Sequence, residues 1–156
     1  MIVLTKNENS IPPSVILSGI VDESANFETS FGNVGKELDI YCKEVSRINS
    51  VGVKLWREFF GAVRAKGTKL RFFDLSPALV SSLNYISDFV AFKEIQSVTA
   101  PFLCNNGKCN ELSYKTLTID EAKTMVKGEC SISCAKCGGK AELDEISTEY
   151  FSFLGL

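Results

Sequence analysis

The chain contains no histidine. That one absence removes Ser-His-Asp and Cys-His catalysis, and it removes imidazole as a metal ligand. Long apolar runs are missing too, with no window near the ~18–20 residues needed to span a bilayer. Charge of one sign does not dominate, since 17 Lys and Arg stand against 19 Asp and Glu for a formal net charge of −2. No overall field therefore draws the chain to nucleic acid or to an anionic membrane. The first residues, MIVLTKNENSIPPS, lack the basic start, apolar stretch and cleavage site of a secretory signal. The expectation is a soluble, cytoplasmic protein. Proline and glycine are sparse, at 4 and 11 of 156 residues, while 45% of the chain is apolar, enough for an ordinary core.

What is present falls into two textures, and we divide the chain at residues 1–99 and 100–156. The first alternates strand and helix patterns. MIVLT and SVILSGIV read as strands separated by the turn-forming KNENSIPP. ANFETSFGNVG reads as a short helix closed by glycine, and ELDIYC has the period of two of a strand. A helix follows Ser50, with Gly52, Leu55, Trp56, Phe59 and Val63 on one stripe and Gly67 as its stop. The strand KLRFF comes next. A helix then starts with Ser76 as N-cap and Pro77 in its first turn, burying Leu79, Leu83 and Ile86. Short links between these elements argue for an α/β fold, a sheet with helices packed on it. From residue 100 arginine disappears, the strands shorten to ELSYKTLTI and KAELD, and a closing helix is expected. Asp144 would cap that helix, and Ile146, Tyr150, Phe153 and Leu154 would form its apolar stripe.

Five of the six cysteines lie between residues 104 and 137. Without an export signal they read as thiols or thiolate ligands rather than disulfides. PFLCNNGKC supplies Cys104 and Cys109, and CAKCGG supplies Cys134 and Cys137. The C-x-x-C spacing lets two sulfurs and the following N–H groups curl around one ion, and Gly138 and Gly139 relieve the crowding. Two such pairs separated by a hairpin's length of chain read as a zinc ribbon, a small β subdomain on a structural, four-thiolate zinc. A segment of ~55 residues with so few core candidates needs such a staple. Cys130 also forms a close pair with Cys134 and is the alternative ligand. A redox pair at C-x-x-C is the competing chemistry. Zinc ribbons often touch nucleic acid, but residues 100–156 hold six Lys, no Arg and eight acids. That balance lacks the basic footprint phosphate contacts require.

The stretch VILSGIVDE, LDIYCKEVSRINSVGVKLW and KLRFFDLSPALVSSLNYI, about residues 14 to 100, resembles the STAS domain of bacterial anti-sigma factor antagonists. The strand, then INSVG, then a helix carries the resemblance most specifically, and Gly19 and Asp22 of SGIVDE echo a weaker signature. The resemblance implies a loop at a helix N-terminus, Asn49, Ser50, Val51 and Gly52, that docks a protein partner such as an anti-sigma kinase-like or sensor protein. In switching members a serine directly before the glycine is phosphorylated; here that position is Val51. Ser50 matches the preceding residue. A phosphate there would meet free N–H groups and the positive end of the helix dipole. Capping by Asn49 and Ser50 is nonetheless favoured over phosphorylation of Ser50. The expectation is a non-enzymatic binding module with structural zinc. A cysteine-based redox enzyme, using Cys42 or the C-x-x-C, and a nucleic-acid-binding ribbon are the alternatives. Some STAS-like proteins carry a metal-ribbon extension, reached here through a last strand near IQSVTAPF.

Overall fold

The computed structural model describes residues 1–156 and is mixed α/β, with two four-stranded sheets and five helices. In the first sheet, β1 (Ile2–Asn7) pairs antiparallel with β2 (Ser14–Val21) across a turn in which Ser10 Oγ donates to the Asn7 carbonyl. β2 then runs parallel to β3 (Glu37–Ile48), and β3 parallel to β4 (Lys69–Phe73). Parallel neighbours need crossovers. Helix α1 (Phe27–Phe31) supplies the first and α2 (Ser50–Ala65) the second.

The pleat separates the faces of this sheet. Val15, Ile40 and Phe72 are aligned across β2, β3 and β4 and are fully or nearly fully buried. Trp56 and Phe60 of α2 pack on Phe72 at ring separations of 5.7 and 5.2 Å, and Phe27 of α1 closes the group from the side. One residue along each strand, Ile16, Tyr41 and Phe73 form a row on the opposite face, with Tyr41 and Phe73 stacked at 4.8 Å. The buried carboxylates are paired. Arg71 grips Asp39 at 2.7 and 2.8 Å, and Arg64 grips Glu94 at 2.7 Å through each nitrogen. Two-pronged pairing of this kind offsets the desolvation of the acid.

Helix α3 (Pro77–Tyr85) starts as expected: Ser76 accepts from the Leu79 N–H, and Pro77 opens the first turn. It lies against β3 and against β5 (Ser97–Cys104). β5 centres the second sheet, ordered β6 (Leu112–Thr118), β5, β8 (Lys140–Leu143), β7 (Ser131–Ser133), with every pair antiparallel. Two parallel bridges, Phe72 to Ile95 and Leu75 to Val98, join the sheets at this strand. Asp74, with a left-handed φ of 55°, makes the bend. Its N–H donates to Ser97 Oγ at 2.8 Å, and that hydroxyl donates back to its carboxylate at 2.6 Å. A single cluster of 35 buried apolar residues runs from Ile2 to Leu154 and draws on both sheets.

Four local expectations are corrected. β3 is twice as long as ELDIYC; β4 covers only its first half, Glu37 to Tyr41, while β2 follows it to Ile48. The buried stripe of α2 is Gly52, Val53, Trp56, Phe60 and Val63. Leu55 and Phe59 are half-buried, because α1 covers that flank, with Phe59 4.8 Å from Phe31. ELSYKTLTI ends as a strand at Thr118, where α4 (Ile119–Lys127) begins. The C-terminal helix is a single turn, α5 (Ser147–Tyr150), followed by a 3-10 turn at Ser152–Leu154. Asp144 does not cap it: the N-cap position falls at Ile146, which is exposed and makes no side-chain bond to the first turn, while Asp144 extends β8 by donating its N–H to the Pro101 carbonyl.

Candidate metal centre and helix-terminal loop

Two turns carry the cysteines. Cys104 closes β5, and its N–H donates to the Glu111 carbonyl, so the chain folds back at once towards β6. Within that turn the N–H groups of Cys109 and Asn110 both reach the Asn106 carbonyl, and Asn110 takes a left-handed φ of 47°. The second turn joins β7 to β8. Cys134 donates its N–H to the Gly139 carbonyl at 2.7 Å, and Gly138, at φ 74°, returns an N–H to the Cys134 carbonyl at 2.8 Å. Gly139 N–H points at Cys137 Sγ at 3.4 Å, and a side chain here would press on that sulfur. The turns face each other because β5 pairs with β8 from Phe102 to Cys104.

All four sulfurs lie within 4.8 Å of one another. Cys104 and Cys137 are 3.5 Å apart, and Cys109 and Cys134 are 3.8 Å apart. A disulfide needs about 2.05 Å, so these are free thiols. A tetrahedron of sulfurs at about 2.3 Å from a central ion has edges of about 3.8 Å, close to the separations of these two pairs. The quartet can hold a metal ion with no further ligand. Cys104 and Cys134 are buried, Cys109 is half-buried and Cys137 is exposed. Cys130, the alternative ligand, stands apart, with Sγ donating to the Met125 carbonyl at 3.0 Å.

The thiols differ in acidity. Backbone N–H groups of Cys137 and Lys136 directed at the Cys134 sulfur bring that thiol down to about 7. At Cys104 the Asn106 N–H pulls the same way, but burial and the facing sulfurs outweigh it and push the thiol up to about 12. A cluster that ionises one thiol easily and resists the next is completed by a cation that neutralises all the thiolates. Cys42, on β3, is fully buried, and burial pushes its thiol far up.

The other predicted site lies at the start of α2. Asn49 is the N-cap, its Oδ1 accepting from the Gly52 N–H at 2.7 Å while Nδ2 donates to Glu23 at 3.0 Å. Its own N–H donates to the Val21 carbonyl at 3.1 Å, which ties the helix start to the end of β2. Gly52 sits so close to β2 that a β-carbon would overlap the Val21 carbonyl oxygen. Ser50 does not share the capping expected of it: Asn49 alone is the N-cap, Ser50 is the first residue of the helix, and both Ser50 and Val51 are exposed.

No protein-family model, curated protein or solved structure matches the chain. Helix α4 has its signal in the sequence, where Thr118-x-x-Glu121 spells a capping box. Thr118 Oγ1 accepts from the Glu121 N–H, and the Thr118 N–H donates to the Glu121 carboxylate. No helix is long and apolar enough to cross a membrane.

Proposed function

We propose that the chain is a non-enzymatic, STAS-like protein-binding module of the cytoplasm that docks a signalling partner through Asn49–Gly52, stapled by one structural zinc ion. The observation that carries the docking reading is the start of α2. Asn49 satisfies the Gly52 N–H from within the chain, and Gly52 seats the helix on β2, so Ser50 and Val51 are presented on a fixed frame. A pre-organised exposed loop loses little freedom on binding. Val51, 44% exposed, offers an apolar contact where a switching member would carry the acceptor hydroxyl. Binding is then constitutive, or controlled from the side of an anti-sigma kinase-like or sensor protein. Zinc is favoured for the staple because a closed quartet of thiolates suits it and leaves no position for water.

The test is co-purification from the native cell with wild-type protein and with Val51→Glu. The reading expects a stoichiometric protein partner that the substitution removes, no phosphate at Ser50 in intact mass, and one zinc per chain. A partner retained by Val51→Glu would overturn the docking loop. Phosphate mapped to Ser50 would overturn the non-switching reading, and metal-free, chelator-insensitive protein would overturn the staple.

A further inference from the structure

Away from both sites, an open groove of about 450 Å³ runs between α3 and the C-terminal turns. Its floor is rigid. Asn84 Nδ2 donates to the Tyr150 carbonyl, and Asn84 Oδ1 accepts from the Phe153 N–H, each at 2.9 Å. Tyr150 is anchored in turn, its hydroxyl donating to the Thr99 carbonyl at 2.6 Å. On this floor stand Tyr85, which is 87% exposed, and the carboxylates of Glu145 and Glu149.

The charge on this groove is of one sign. Neither residues 77–92 nor residues 141–156 contain Lys or Arg. The ion pairs of the chain take up Glu37, Asp39, Glu58, Asp88, Glu94, Glu111, Glu129 and Glu142, but neither Glu145 nor Glu149. The groove therefore offers an aromatic face nothing covers and two uncompensated carboxylates on a pre-formed floor. A guanidinium fits that combination better than an ammonium, because its plane stacks on a ring while its edge donates to a carboxylate.

We propose that this groove docks an arginine-bearing segment of a partner protein. The surface involves neither the α2 loop nor the cysteines, so it stands whether or not those readings do.

The probe is tetra-arginine amide, titrated at low ionic strength into the isotopically labelled full chain and followed by amide chemical shifts. Saturable movement centred on Ser81, Tyr85, Glu145, Thr148 and Glu149 is expected, with tetra-lysine amide weaker. Tyr85→Ala and the double variant Glu145→Gln/Glu149→Gln should each weaken the arginine peptide roughly fivefold. All three side chains are exposed, so the fold should survive, and the mapping on unaltered protein stands without the variants. Absence of saturable shifts, shifts spread over remote carboxylates such as Glu8 and Glu28, or equal occupancy of the groove by spermine would each overturn the proposal.

Discussion

Asn49 and Gly52 divide the work of starting α2, and each can be tested alone. Asn49 accepts one of the orphan N–H groups of the first turn. Asn49→Ala should cost about 1 kcal/mol in urea unfolding, while Asn49→Asp keeps the acceptor and most of the stability. Gly52→Ala separates two opposing effects. Alanine favours a helix interior by about 1 kcal/mol over glycine, but its β-carbon would meet the Val21 carbonyl. The contact wins, because backbone of β2 cannot swing away as a flexible side chain could. A net loss of about 2 kcal/mol is expected by the same denaturant measurement. The buried Trp56 is a residue of another kind: its indole N–H has no hydrogen-bond partner. The rings of Phe27, Phe60, Phe72 and Phe89 all lie within 6.0 Å of it, so shape rather than polarity holds it in place.

Among the elements, β5 carries the most consequence. Its first residues bond to the Asp74 bend, its middle accepts the Tyr150 hydroxyl, and its last residue is Cys104. β7 and β8 are short strands, of three and four residues, and little apolar burial holds them. A metal between their connecting turn and the end of β5 substitutes for the core they lack. Chelation should therefore accelerate amide hydrogen exchange first in residues 104–111 and 131–143. The amides of β2, β3 and β4 should respond less, since Val15, Ile40 and Phe72 are buried under α2. Uniform acceleration across both sheets would show instead that the metal supports the whole fold.

The pH response belongs to the whole molecule. Burial, with the nearby Glu145 carboxylate adding to it, pushes the Tyr150 phenol above its ordinary value of about 10. Burial likewise raises the Cys42 thiol. A group raised in the folded state contributes stability that is fully present below its unfolded pKa and is lost as pH rises beyond it. The fold should thus weaken progressively above about pH 8.5 for Cys42 and about pH 10 for Tyr150. Tyr150→Phe should lower stability at neutral pH by removing the bond to Thr99, and should flatten the alkaline decline measured by thermal melting. At neutral pH Cys42 should resist alkylation until the protein unfolds.

Much of this was legible along the chain, and the divisions follow the range of the forces. Asn49 and Ser76 cap their helices and Pro77 opens α3 because those bonds close within three or four residues. The spacing of Cys104, Cys109, Cys134 and Cys137 picked out the thiols that come together, and Gly138 takes the left-handed turn between them. Three-dimensional pairing decided the rest. Cys130 is as close in sequence to Cys134 as Cys137 nearly is, but it precedes β7, so the ladder carries it towards Met125. The pattern of residues 144–154 suits a helix, yet Asn84 of α3 accepts the Phe153 N–H, so the helix stops after one turn and a 3-10 turn follows. Local sequence set caps, turns and ligand spacing, since those are short-range contacts. Which strand joined which sheet depended on partners dozens of residues away.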